Sequence, residues 1–142
     1  MKVLSIPLLL LWTGIVVAMQ LRTEGDQIMG VWISTQRTSK IEFSKSGNHY
    51  SAKIVWLAEP NDASGNPKLD INNPDARKRQ NPLVGTVVIE GLHYSENAWI
   101  GGRLYLPKRG MYVNCSAAII HDTLKITGSK GLFSDTKTWL KR

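Results

Sequence analysis

The sequence contains a single cysteine, Cys115, among its 142 residues. One thiol cannot form an intramolecular disulfide, so the folded chain must be stabilised by its hydrophobic core. No obvious base and no helix start accompanies Cys115, which predicts a small packed side chain rather than a reactive one. The cysteine content therefore gives no support to a disulfide scaffold or to thiol chemistry.

Acidic residues are the minority charge: 11 Asp and Glu stand against 18 Lys and Arg, for a net charge of +7. No run of five or six like charges occurs, and the densest cluster is Arg77-Lys78-Arg79. A nucleic-acid surface would need a broad basic face with interleaved aromatics. We therefore expect a basic protein that meets anionic surfaces but binds no nucleic acid.

Long apolar runs are absent except at the start, where Lys2 precedes the run Val3–Val17. A positive start, a short apolar segment and small residues at Val16 and Ala18 are typical of a secretory signal peptide. The run is shorter than the roughly 20 residues that a membrane-spanning helix needs. We predict a signal peptide at residues 1–18, a polar lead at 19–27 and one domain at 28–142, exported to the periplasm or secreted, with no transmembrane segment after cleavage.

The remainder lacks a convincing amphipathic helix and instead shows short strand-like runs separated by turn residues. The predicted strands are Ile28–Ile33, Lys40–Phe43, Tyr50–Leu57, Leu83–Tyr94, Trp99–Leu106, Met111–Ile120, Thr123–Thr127 and a final run ending at Leu140.

Eight hairpin-linked strands predict an all-β fold, an antiparallel up-and-down barrel of the lipocalin or calycin type, because closure removes unpaired edges. An open sandwich is the alternative. An outer-membrane barrel is disfavoured because charged residues would interrupt its lipid-facing band, namely Glu42, Lys53, Glu90 and Lys125.

Catalytic and metal-binding patterns are also missing. The three histidines, His49, His93 and His121, have no ligand partner at metal-binding spacing. No nucleophile elbow, phosphate loop or dinucleotide fingerprint occurs. The carboxylates between residues 62 and 75 match no calcium-loop template and suit turns instead. We expect no metal, no cofactor and no enzymatic activity.

The connection from Pro60 to Pro82 is long and lacks any apolar periodicity, which is typical of lids, binding loops or disorder. It contains a recognisable stretch, residues 70–85, in which Asp70, Asn73, Asp75 and Arg79 form a polar signature. We expect Asp70, Asp75 and Arg79 to fix this loop through carboxylate–guanidinium and backbone hydrogen bonds.

Together with residues along the rest of the chain, this stretch resembles the DUF2147 family, exported bacterial proteins of unknown function with a lipocalin-like barrel. The other matching residues are Gly30, Trp32, 53–57, Glu59-Pro60, 82–85, Trp99, Gly101-Gly102, Tyr105, Pro107, Gly110, Tyr112, Leu124, Gly128, Gly131 and Thr138-Trp139. The chain departs from the family pattern at Asn81, Leu106 and Lys141. The resemblance implies that a cation closes over Trp32, and Lys141 can do so less well than arginine.

The aromatic residues suggest where a ligand could bind. Trp32 and Trp139 are expected in the core, whereas Trp56, Trp99 and Tyr105 lie near strand ends and could line the mouth of a cavity. Arg103 and His93 could add polar contacts there. A one-residue register slip would turn each of these side chains to the other face.

Two functions lead, and an enzyme is kept as a third only because the three histidines and the loop carboxylates could converge in the fold. The first is a binding protein for a small, partly apolar ligand, such as a lipid or fatty acid, held in the barrel mouth beneath the 60–82 loop. The second is a structural or interaction module of the cell envelope with a filled barrel and a basic partner-binding surface. An open interior would favour the first, and a filled interior the second.

Overall fold

The computed structural model describes residues 23–142, so the predicted signal peptide lies outside the described residues. Eight antiparallel strands follow one another around a closed barrel, and β1 pairs with β8 to complete it. The strands are β1 (Gly30–Ser34), β2 (Ser39–Ser46), β3 (His49–Leu57), β4 (Val87–Ser95), β5 (Ala98–Leu106), β6 (Met111–Ile120), β7 (Thr123–Lys130) and β8 (Phe133–Lys141). The predicted up-and-down barrel is confirmed.

Alternate connections lie at opposite ends of the barrel, because each strand reverses the direction of the one before. We call one end of the barrel the helix end, after the short 3₁₀ helix that closes it, and the opposite end the loop end. The helix end carries the tight β2–β3, β4–β5 and β6–β7 turns. Both central residues of the last two turns, Glu96-Asn97 and His121-Asp122, have positive φ, which is typical of type I′ hairpins. The loop end carries the β1–β2, β3–β4, β5–β6 and β7–β8 connections, and the β3–β4 connection is the long one.

A short 3₁₀ helix, Glu24–Ile28, closes the helix end, where the sequence had predicted only a polar lead. Two buried indoles hold it: Trp32 Nε1 donates to the Ile28 carbonyl at 2.8 Å and Trp99 Nε1 donates to the Gly25 carbonyl at 3.0 Å. Ile28 is fully buried in the core. The sequence signal for this helix was the capping box formed by Thr23 and Asp26.

Asp26 also ties this helix to the hairpin of β2 and β3. The Tyr50 hydroxyl donates to its Oδ1 at 2.7 Å, and Lys45 Nζ donates to the same oxygen at 3.0 Å. The Tyr50 hydrogen bond and then the Lys45 contact lower the pKa of Asp26 to about 2. The carboxylate therefore keeps its charge over the range in which most proteins are folded.

The interior of the barrel is packed by one cluster of buried side chains. Every strand from β1 to β7 contributes, and Trp139 of β8 packs against the cluster. The bulkiest members are Trp32, Phe43, Tyr50 and Trp99. An eight-stranded barrel is just wide enough for side chains to fill it.

Trp32 is sandwiched between the 3₁₀ helix and the last strand. Lys141 Nζ lies 4.6 Å from the centre of the Trp32 ring and donates to the Met29 carbonyl. The expected cation therefore closes over this indole, with lysine in place of arginine.

The fourth strand begins later than the sequence predicted. Residues 83–86 belong to the connection, because Leu83 N donates to the Lys68 carbonyl and Thr86 N turns back to donate to the Leu83 carbonyl. Strand β4 starts at Val87, after this turn. The apolar residues Leu83 and Val84 resembled a strand, but they extend along the loop.

Candidate functional site

The long connection, residues 58–86, folds against the outer wall of the barrel at Tyr105. The Tyr105 hydroxyl donates to Asp70 Oδ1 at 2.6 Å, and Asn73 Nδ2 donates to Asp70 Oδ2 at 2.7 Å. All three residues are buried. Burial, and then the hydrogen bond to Asp70, raise the pKa of Tyr105 well above its usual range. These three side chains form what we call the loop clamp.

The clamp lies outside the barrel. Leu104 packs against the core cluster, so its neighbour Tyr105 points to the opposite face of β5. Tyr105 is paired with Tyr112 of β6, with ring centres 4.9 Å apart, and stands outside the core cluster of the described residues. The connection therefore covers the wall, which is the geometry of a structural tie.

The other signature residues organise the loop around the clamp. Asn73 Oδ1 accepts from the Asp75 backbone at 2.8 Å, and Arg79 Nε donates to the Asn73 carbonyl at 2.7 Å. Asp75 pairs with Arg77 at 3.1 Å, whose hydrogen bonds lower the pKa of Asp75. The three residues predicted to fix the loop therefore do so through different partners. Asp70 bonds to Tyr105 of the barrel, and Asp75 bonds to Arg77 within the loop. Arg79 bonds to a backbone carbonyl and not to a carboxylate.

A second contact joins the loop to the β5–β6 turn. Asn72 Nδ2 donates to the carbonyls of Pro107 and Lys108, at 3.4 and 3.2 Å. Gly110, at φ +62°, lies directly against the Asn72 carbonyl, so that a Cβ at this position would stand 1.9 Å from that oxygen. No side chain fits there while the loop is docked.

We therefore expect Gly110→Ala to detach the loop from the β5–β6 turn. The measurement is the rate of limited proteolysis within residues 58–86, together with the urea midpoint. Gly131→Ala is the matched control: Gly131 has φ +60° and no atom within 4 Å of the place that a Cβ would occupy, so it shares the backbone strain without the clash. Equal proteolysis of the two variants would contradict a close contact at Gly110.

The five predicted ligand-binding residues do not share one space. Trp99 is buried under the 3₁₀ helix and Tyr105 is buried under the loop clamp. Trp56 is 39% exposed, with Lys40 Nζ 4.8 Å from its ring centre. Arg103 pairs with Glu90 at 2.9 Å and stacks on Tyr112, and His93 stands beside the His49 ring on the surface. The expectation that these residues line one cavity mouth is therefore not met, although their roles in binding stay predictions.

Among the clefts on the described surface, two shallow ones include predicted binding residues, Trp99 in one and Arg103 in the other. One, of about 170 Å³, sits beside the 3₁₀ helix, and the other, of about 310 Å³, lies on the outer wall near the loop end. The second includes Arg103, Tyr112 and Lys130. Both open to solvent, whereas the barrel interior is packed.

Charge is divided between the two ends of the barrel. The connecting segments at the loop end carry seven Lys and Arg against four Asp and Glu, with Arg37, Lys78, Lys108 and Arg109 exposed. Within residues 23–142, the segment before β1 and the turns at the helix end carry four acidic residues and no Lys or Arg, while three basic residues at the ends of β2 and β8 also lie at this end, namely Lys45, Lys141 and Arg142. The acidic residues are Glu24, Asp26, Glu96 and Asp122. Net charge can be read from composition, but this division cannot, because only the topology shows which turns share an end.

Groups that could support chemistry are sparse among residues 23–142. This part of the chain holds no cluster of three His, Cys, Asp or Glu suited to a metal ion. Cys115 is buried, and burial raises the pKa of its thiol to about 12. Within the described residues, no helix has the length and apolar character needed to cross a membrane.

The fold and the packed interior define the molecule as a small lipocalin-like barrel. A family model described as "Uncharacterized protein conserved in bacteria (DUF2147)" matches residues 30–141, and the chain belongs to this family. Its structure is similar to that of protein HP1028 from the human pathogen Helicobacter pylori, which is described as belonging to the lipocalin family. The two share 21% sequence identity over 81% of this chain and 82% of that chain, with a TM-score of 0.69. None of the curated proteins matches.

Proposed function

We propose that the protein is an exported, non-enzymatic interaction module of the cell envelope, whose basic loop end binds anionic lipid headgroups. The observation that carries this proposal is the division of charge between the two ends of the barrel. A basic end with a nearly neutral opposite end orients the molecule as it approaches a negative surface.

Two further features support a membrane surface as the partner. Leu132 and Phe133, at the tip of the β7–β8 hairpin, are 102% and 84% exposed, and they lie at the same end as the basic connections. Exposed apolar side chains beside lysine and arginine are typical of segments that bind the interface of anionic membranes. The packed interior favours a surface site over an interior one.

We expect the purified chain to co-sediment with vesicles containing phosphatidylglycerol and not with phosphatidylcholine vesicles, and this binding should weaken as salt rises. Each Lys or Arg near such a surface contributes about 1 kcal/mol, so Lys108→Gln with Arg109→Gln should weaken binding by about tenfold or more.

The matched control is Lys53→Gln with Arg142→Gln, which removes the same charge from the wall and the helix end. If both double variants lose the same affinity, net charge alone governs binding and the loop end is not the contact. No binding of the wild type to either vesicle would overturn the proposed function.

A second candidate is the binding of a small, partly apolar ligand, because the lipocalin-like fold suggests ligand binding in general. The observation that favours it is the outer cleft, where Arg103 stacks on the ring of Tyr112 and Lys130 adds a second cation to the lining. An anionic head group could sit on these cations. Native mass spectrometry of gently purified protein and titration with an apolar fluorophore test this candidate, and absence of both an adduct and saturable binding would remove it.

A further inference from the structure

The last strand leaves part of its backbone edge unpaired. Strand β1 pairs with β8 only from Trp139 to Lys141, whereas β8 extends back to Phe133. From residue 133 to 138, the described ladder pairs β8 with β7 alone. Residues 133–137 are all exposed. The barrel wall is therefore closed at the helix end and has a free strand edge toward the loop end.

The direction of the backbone groups follows from the end of β8. Arg142 N donates to the Val31 carbonyl of β1, and backbone groups alternate in direction along an antiparallel strand. The even-numbered residues of β8 thus face the β1 side. At the free edge these are Ser134, Thr136 and Thr138, and no backbone partner for them occurs within residues 23–142.

This edge has few of the features that protect sheet edges. The β7–β8 ladder is regular from Thr123–Leu140 to Lys130–Phe133, without a bulge, and no proline interrupts residues 133–141. Its charged side chains are Asp135 and Lys137, which lie on one face with their charged atoms 3.8 Å apart. A regular exposed edge is a template for another strand.

We propose that this edge pairs antiparallel with the same edge of a second copy of the chain, centred on Thr136. In this register Asp135 of each copy lies opposite Lys137 of the other. Ser134 pairs with Thr138 of the second copy, and about six backbone hydrogen bonds form across the two-fold axis. The same patch thus serves as both partners, as a two-fold dimer requires.

Charge selects this register over its neighbours. Pairing centred on Asp135 would place two aspartates opposite each other, and pairing centred on Lys137 would do the same with two lysines. Like charges directly opposite on paired strands are unfavourable. The strand Ser134-Asp135-Thr136-Lys137-Thr138 is therefore self-complementary only about its central threonine.

Antiparallel pairing points the two barrels in opposite directions. The body of each copy then stands beside the loop end of the other, so a flat membrane reaches this end only in the monomer. This consequence rests on the proposed function, whereas the dimer itself does not. Measuring the oligomeric state without vesicles separates the two.

The experiment is sedimentation velocity of the purified chain over a range of concentrations. We expect a concentration-dependent dimer that weakens with salt. Asp135→Lys and Lys137→Asp should each weaken self-association by about tenfold or more, because each replaces two opposite-charge pairs by two like-charge pairs. A mixture of these two variants should restore the dimer, since every facing pair is then again of opposite charge.

Thr136→Pro supplies an independent test through the backbone. The substitution removes the N–H at the centre of the proposed pairing, so the dimer should be lost. Proline is tolerated on an edge strand where its nitrogen faces outward, so the melting temperature of the barrel should be unchanged. A wild type that remains monomeric at all concentrations would overturn the proposal. This holds even if the edge pairs with a strand of another protein, because the proposed partner is a second copy of this chain. Retention of the dimer in both charge variants would overturn it as well.

Discussion

Asp70→Ala will release the long connection from the barrel wall. The side chain is buried and accepts two hydrogen bonds, from the Tyr105 hydroxyl and the Asn73 amide. Its removal leaves both donors buried without an acceptor, at about 1–3 kcal/mol each. We therefore expect a loss of about 2–6 kcal/mol in the free energy of docking the connection. Hydrogen exchange of residues 68–83 and urea unfolding measure it.

Glu59→Ala is the control for this variant. Glu59 lies in the same connection and carries the same charge, but its side chain is 89% exposed and meets Lys68 only at 3.8 Å. Such pairs contribute little, so exchange in the loop should remain close to that of the wild type. A double-mutant cycle with Tyr105→Phe isolates the clamp, because the two substitutions remove the same bond and should not add. Additive losses would show that Asp70 acts elsewhere.

The barrel was predictable because its signals are local. Alternation along runs such as Tyr50–Leu57 and turn residues such as Gly47-Asn48 specify hairpins without information from distant residues. The family resemblance added the lipocalin-like character. The 3₁₀ helix was missed because its stabilising partners, Trp32 and Trp99, come from strands that only the closed fold brings to it.

The candidate site was harder to predict because a bulge reverses the faces of β5. Trp99 and Tyr105 are six residues apart and would share a face in a regular strand. The register between β5 and β6 shifts between Trp99 and Gly102, where Gly101 has φ +74°. Trp99 therefore points inward and Tyr105 outward. The sequence showed the glycine pair but not the shift, so both aromatics were assigned to one cavity mouth.

Trp99→Ala will destabilise the whole barrel. The indole is 1% exposed, packs on Tyr94 at 5.0 Å between ring centres, and donates its N–H to the Gly25 carbonyl. Truncation of a buried tryptophan costs about 3–5 kcal/mol through lost contacts and a residual cavity. The Gly25 carbonyl also loses its donor, so the 3₁₀ helix should lose its attachment at the helix end. The urea midpoint and the near-ultraviolet circular dichroism report both effects.

Trp56→Ala provides the comparison that separates burial from residue type. Trp56 is 39% exposed and contacts Lys40 on the outer wall, so its truncation should cost about 1 kcal/mol or less. Trp99→Phe retains most of the packing and loses the N–H, and its cost should fall between the two. Truncation of a tryptophan that lines a ligand site should weaken ligand binding more than it weakens folding. For each variant, the loss in binding affinity compared with the loss in unfolding free energy therefore distinguishes a binding residue from a packed one. Equal destabilisation by Trp56→Ala and Trp99→Ala would contradict the packed interior on which the surface-binding proposal depends.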